Sequence, residues 1–119
     1  MDGDRPIPEM VELLQMLGNN NRNRLIFCSG RGEQNRSITE KQIRRLLFTI
    51  SDKENLNGIN LYLRGHGDFR DDSVVKSDLY DQMLVDGFKP TIVFEDRASV
   101  VKMWRTRGLR CLQVAEANF

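Results

Sequence analysis

At 119 residues the chain has the length of one domain, and a single domain over residues 1–119 is the expected organisation. With 29% charged and 39% apolar residues it suits a soluble core, and a formal charge of +1 excludes a global field drawing it to nucleic acid or anionic lipid. Its longest apolar run is too short to span a membrane, no secretory signal opens it, and Cys28 and Cys111 lie in apolar stretches without metal-ligand spacing, so a cytoplasmic, membrane-free setting with reduced thiols is expected.

The elements alternate along the chain. Met10, Leu13, Leu14 and Leu17 recur at helical spacing, which predicts a helix from Pro8 to Leu17, stopped by Gly18 and the Asn19–Asn21 run. Leu25–Ser29 is a short apolar run, predicted as a buried strand. Thr39 is the expected cap of a second helix over Glu40–Thr49, with Ile43, Leu46, Leu47 and Ile50 inward. After a polar connection, Ser51–Gly58, Ile59–Leu63 is a strand candidate. A charged loop, Arg64–Asp72, leads into a helix from Ser73 to about Asp86, with Val74, Val75, Leu79, Tyr80, Met83 and Leu84 inward and Gly87 as its stop. Thr91–Phe94 is the next strand, Ser99–Arg107 the next helix with Trp104 in the core, Gly108 its stop, and Leu109–Ala115 the last strand. Met10, Met16, Met83 and Met103 read as core filler, His66 as a solvated loop residue, and Arg22, Arg24, Arg36, Arg44 and Arg45 as a solvated face.

Strands separated by crossover-length helices predict an α/β fold, a parallel sheet with helices on both faces, whose active crevice lies outside the carboxyl ends of the strands. The polar residues collect there: Ser29-Gly30-Arg31 after one strand, Arg64 after the second, Glu95-Asp96-Arg97 after the third. A hydroxyl on Ser29 and a guanidinium on Arg31 suit phosphoryl oxygens, and adjacent carboxylates on Glu95 and Asp96 suit Mg²⁺. Lys76, early in its helix, reaches toward the same edge, and Asp72 either orients it or caps the helix. Asp96 has a second reading as the cap of the helix from Ala98 onward. Each piece alone is commonplace; their strand-by-strand order makes a phosphoryl-transfer set.

The stretches LIFCSGR, LYLRGHGDFRDDSVVKSDLYD and VFEDRASVVKMWRTRGLRCLQVAEANF together resemble the phosphatase domain of polynucleotide 5′-kinase/3′-phosphatases, of the haloacid-dehalogenase superfamily. The most specific parts are the Arg-x-x-x-Asp…Asp-Asp-x-x-x-Lys and Asp-Arg-x-x-Val-Val-x-Met-Trp-Arg blocks. The resemblance covers nearly the whole chain and implies a three-layer Rossmann-like fold. It makes Ser29 the second-motif hydroxyl and Arg31 a substrate-contacting cation. It makes Arg64, Asp72 and Lys76 the third-motif cluster, with Lys76 on the phosphoryl group, and Glu95 and Asp96 the acidic pair that holds Mg²⁺. The family pattern has Asp-Asp there; Glu95 keeps the charge and lengthens the arm.

The family begins with a strand ending in Asp-x-Asp-Gly-Thr, the first Asp the nucleophile and the second the general acid/base. Asp2-Gly3-Asp4 has the spacing, but only Met1 precedes it here, and the Asp2–Pro8 stretch aligns better with an acidic segment just before the first helix. In the family that strand lies between those ending at Ser29 and Glu95, so the first central strand is expected to be absent from this chain. Either the two flanking strands close up and pair, or another copy or chain donates a strand, or the sequence is a piece of a longer one. An oligomeric or partner-dependent chain is the expectation. Two functions stand: a Mg²⁺-dependent 3′-phosphatase acting on nucleic-acid ends and inactive without a supplied nucleophile, or a catalytically dead module binding an anion, a nucleic-acid end or a protein partner.

Overall fold

Residues 8–18, 20, 22–47 and 60–117 are described by the structure, a computed structural model. Asp2, Asp4, Ile50 and the 51–58 connection lie outside the described residues. The chain divides into two compact units, Met1–Phe27 with Gln34–Tyr62, and Cys28–Glu33 with Leu63–Phe119.

In the first unit, α1 (Pro8–Gly18) starts at proline, whose missing N–H suits a first turn, and packs with α2 (Arg36–Leu47). Gln15 Nε2 donates to the Leu46 carbonyl at 2.7 Å, and Asn23 Nδ2 satisfies the Leu17 carbonyl at the end of α1. Thr39 does not cap α2. The helix begins three residues earlier, after a single 3-10 turn at Glu33–Asn35, and the Thr39 hydroxyl donates to the Asn35 carbonyl at 2.8 Å. A threonine satisfied by the carbonyl four residues back is a helix-interior residue. Met16 and Leu46 are exposed rather than core.

Strands β1 (Ile26–Gly32) and β2 (Asn60–Arg64) form a two-stranded sheet. β1 runs beyond its apolar stretch through Gly30-Arg31-Gly32, because ladder pairing is a property of the backbone and outlasts the side-chain pattern.

The second unit is built from α3 (Asp72–Val85), β3 (Ile92–Arg97), α4 (Ala98–Thr106) and β4 (Arg110–Ala117). β3 and β4 are parallel, with Val93 opposite Cys111. That face of the pair meets Val100, Val101 and Trp104 of α4, with Leu109, Tyr80, Met103 and Cys28 completing the core. Ile92 and Leu112 fall on the other face and are exposed, as side chains alternating across a strand require. Trp104 is core, edge-on to Tyr80 at 5.7 Å, and the Arg107 guanidinium covers the Tyr80 ring at 4.5 Å.

Both helices stop as the glycines predict. Gly87 (φ 94°) donates to the Leu84 carbonyl while Phe88 donates to Met83; Gly108 (φ 87°) donates to Arg105 while Leu109 donates to Trp104. This paired bonding around a left-handed residue ends a helix and turns the chain at once into the next strand. Neither helix start uses the expected acid as cap. The residue before α3 is Asp71, with Asp72 already in the first turn, and the residue before α4 is Arg97; neither makes a side-chain cap bond. Val74 and Leu84 are exposed, because the inward stripe of α3 runs through Val75, Lys76 and Met83.

Among the described residues β1 pairs with β2 and β3 with β4, in separate sheets. Direct pairing of β1 with β3 is therefore not the arrangement adopted.

Candidate functional site

The second unit brings together the carboxyl ends of β1, β2 and β3 and the first turns of α3. Asp72 occupies the first helical position, where its charge complements the N-terminal end of the helix dipole. One turn on, Lys76 faces the same way, and its Nζ lies 3.3 Å from Asp72 Oδ2. The same Nζ donates to Glu95 Oε1 at the end of β3, 3.0 Å away. Both side chains of this pair are 9% exposed. Such a pair is stable only when the remaining valences are met. They are: Glu95 Oε2 accepts the backbone N–H of Asp96 at 3.1 Å and of Arg97 at 3.4 Å.

Asp72 is shared by three cations. Arg64 Nη2 stands 3.5 Å from its Oδ1, and Arg97 Nη1 3.5 Å from its Oδ2, beside Lys76. Arg64 in turn donates through Nε to the Gly30 carbonyl at 2.9 Å, fixing the end of β2 to the end of β1. A side chain at position 30 has no room: a Cβ there would lie 2.5 Å from Asp72 Oδ1. Gly30 is required by space, since its backbone dihedrals are not of the glycine-only kind.

Two pKa shifts follow from this packing. Burial by itself would lower Lys76, but the charges of Glu95 and Asp72 outweigh it and leave the ammonium's pKa above its ordinary value. Cys28, on β1, is pushed up to about 12 by burial, assisted by Glu95 and Asp72 and opposed by Lys76. The thiol is therefore neutral at any ordinary pH and behaves as a packing group.

Arg64, Asp72, Lys76 and Glu95 thus converge, as the strand order predicts. Ser29 and Arg31 lie on β1 beside Gly30, where the Ser29 hydroxyl accepts the Arg31 N–H at 3.2 Å. Asp96 follows Glu95 on β3 with its side chain exposed, and its carbonyl accepts Gln113 Nε2 at 3.0 Å. Sequence reasoning assigned no role to Arg97 or Gly30. Arg97 had a signal, since it follows the acid pair directly; the close approach of Gly30 to Asp72 had none.

Among the described residues no three His, Cys, Asp or Glu side chains stand together as a metal cluster. The end of β3 still carries carboxylates on two consecutive residues, Asp96 exposed and Glu95 buried on Lys76 and two backbone N–H groups. One or two carboxylates is what Mg²⁺ takes from protein when water and phosphate complete its shell, so the donor set fits that ion as a partial site.

A parallel α/β unit with this polar cluster at the carboxyl ends of its strands defines the class: a haloacid-dehalogenase-like domain. More narrowly, the chain belongs to the polynucleotide kinase PNKP phosphatase domain family, whose model matches residues 1–119. Two solved structures are similar. A chain in a structure of a Pnkp1/Rnl/Hen1 complex aligns over 99% of this chain at 26% identity with a TM-score of 0.77. A chain in a structure of the Pnkp1/Rnl/Hen1 RNA repair complex aligns over 99% at 26% identity with a TM-score of 0.76. This chain spans 38% and 35% of the lengths of those chains. Among its described residues no helix is long and apolar enough to cross a membrane.

Proposed function

We propose that this domain supplies the phosphoryl-binding end of a polynucleotide 3′-phosphatase used in nucleic-acid end repair. The observation that carries this is Lys76, buried between Asp72 and Glu95 and flanked by Arg64 and Arg97. A lysine so oriented, at the mouth of three strand ends, is placed for one phosphoryl oxygen, with Ser29 and Arg31 on β1 as further donors. Arg64 and Asp72 position the substrate end and hold Lys76 in line. Glu95 and Asp96 would hold Mg²⁺, Asp96 as the exposed ligand. That ion, when bound, supplies charge neutralisation on the phosphoryl oxygens. The reaction passes the phosphoryl group from the 3′ oxygen to a carboxylate and then to water, releasing inorganic phosphate. Among the described residues no strand ends in Asp-x-Asp, so we assign the attacking carboxylate to another segment or chain. That same segment, or a second copy, is our proposed partner for the edges left by the two separate sheets. Free Cys28 and Cys111 suit a reducing cytoplasm.

A second reading is favoured by one feature: Lys76 is already ion-paired with both Asp72 and Glu95, as in a module that binds an end without turning it over. Incubation of the chain with a 3′-phosphorylated oligonucleotide and Mg²⁺ separates the two. Phosphate release by this polypeptide alone, abolished in Asp96→Ala, rejects the binding module. Binding with no release, with or without a supplied Asp-x-Asp segment, rejects the phosphatase.

A further inference from the structure

Phe69 is the most exposed large apolar side chain among those described, at 94%. It sits on a loop of the second unit held by side-chain and backbone hydrogen bonds. The loop turns at Gly65–Asp68, where the Asp68 N–H donates to the Gly65 carbonyl at 3.1 Å and Gly67 takes φ 80°. Arg70 Nε and Nη2 grip both oxygens of Asp68, at 2.9 and 2.7 Å, while its Nη1 reaches Asp78 at 2.8 Å. Arg64 Nη1 donates to the carbonyls on either side of Phe69, those of Asp68 and Arg70. Arg64 Nη2 contacts Asp72 of the site. The guanidinium that helps hold the phosphoryl cluster therefore also fixes the backbone under Phe69. Phe69 and Asp72 are three positions apart, so their Cα atoms lie at most about 11 Å apart.

An aromatic ring on a fixed backbone, 94% exposed and beside a cationic phosphoryl site has the two parts of a single-strand platform: charge for the backbone and a π-face for a base. We propose that Phe69 stacks on a base of the nucleic-acid end whose 3′-phosphate is bound at Lys76. This rests on the nucleic-acid reading of the site. Stacking is blind to base identity and to the sugar, so DNA and RNA ends are both accommodated.

The test uses the full chain and single-stranded 3′-phosphorylated oligonucleotides, DNA and RNA, with 2-aminopurine as a reporter base near the end, and inorganic phosphate as a second probe. Wild type is expected to quench the reporter. Phe69→Ala is expected to lose the quenching and bind the oligonucleotide at least about 5-fold more weakly, the low end of a base-stacking contact. Phe69→Trp should retain both, and phosphate affinity should be equal in all three. Unchanged quenching and affinity in Phe69→Ala overturns the platform. Wild type that binds phosphate, but the oligonucleotide no more tightly, overturns it and leaves the anion site standing. Wild type that binds neither overturns both. A Phe69→Ala change in sedimentation mass without a change in oligonucleotide binding makes Phe69 a protein-contact anchor and also overturns it.

Discussion

Lys76 Nζ and Glu95 Oε1 meet at 3.0 Å in a pair that is 9% exposed on both sides, and the other Glu95 oxygen holds the backbone of the two residues that follow. Breaking one side leaves a buried charge without its counter-ion, at a typical loss of about 3–5 kcal/mol. Glu95→Ala should fall at the low end, because Asp72 still faces Lys76. Lys76→Met should fall at the high end, since it leaves buried Glu95 without its cation while Asp72 keeps Arg64 and Arg97. The double variant Lys76→Met with Glu95→Ala should recover at least half of the Lys76→Met loss. Urea denaturation of the four proteins checks this; additive single effects would mean that the pair is uncoupled.

At Gly30 one methyl group is enough to disturb the site. Gly30→Ala drives a Cβ to 2.5 Å from a carboxylate oxygen that Arg64, Lys76 and Arg97 already share. We expect about 1–3 kcal/mol of destabilisation, the usual range for overpacking, together with weakened phosphate binding. At Gly65 a Cβ meets nothing within 4 Å, so Gly65→Ala should be tolerated within about 0.5 kcal/mol. Equal melts for the two variants would contradict the close approach at position 30.

The alkaline limb of stability should carry two signatures. The Cys28 thiol has its folded pKa raised from 9.0 to about 12, so the folded state holds more protons than the unfolded one between those values. Its stabilising contribution is complete below pH 9.0 and declines as pH rises toward about 12, with a slope of up to about 1.4 kcal/mol per pH unit. Lys76, also raised, contributes fully below 10.5 and loses its contribution above that. Cys28→Ala should flatten the first part of the decline. In the native state at pH 8 the Cys28 thiol should resist alkylation; labelling as fast as a free thiol would refute the burial.

Arg31→Ala should weaken sulfate or phosphate binding by roughly 1.5–3 kcal/mol if that contact is desolvated and charge-assisted. A crystal soaked in sulfate, with the β1 end empty while other sites fill, would count against Arg31 and Ser29 as donors. Mg²⁺ should bind the isolated chain in the millimolar range or weaker, about −4 kcal/mol, because among the described residues the proposed site draws its charge from Glu95 and Asp96 and no cluster of three ligands stands together. Micromolar affinity by calorimetry would require ligands beyond that pair.

Strands β1 and β3 belong to different two-stranded sheets, and each has an edge open to pairing among the described residues. Sedimentation equilibrium at micromolar concentration should therefore report an oligomer, or a monomer that associates when a complementary strand is supplied. A monomer whose melt is independent of protein concentration, and unmoved by any added segment, would rule this out.

Much of the second unit was legible because its signals are local. Gly87 and Gly108 marked the helix ends through the left-handed backbone each provides, and Val100, Val101 and Trp104 recur at helical spacing. The inward face of α3 was misjudged for a physical reason. Its buried stripe contains Lys76, which hydrophobic periodicity assigns to solvent, and so Val74 and Leu84 were counted inward in its place. Asp72 lies one turn from Lys76 and is readable from spacing, but Glu95 is nineteen positions away and is paired with it only by the fold. Thr39 failed as a cap because a hydroxyl serves equally at a helix start and against a carbonyl inside it, and sequence does not distinguish the two.

The β3–β4 register carries one more implication. Glu95 faces Gln113 and Arg97 faces Ala117, so two steps along β3 are matched by four along β4. The surplus lies entirely on the strand that bears no site residue. β3 keeps its spacing through Glu95, Asp96 and Arg97, while β4 absorbs the irregularity. Length variation among related sequences should accordingly be accepted between Gln113 and Ala117 and refused between Glu95 and Arg97, where a single inserted residue would turn Arg97 to the opposite face of the strand, away from Asp72.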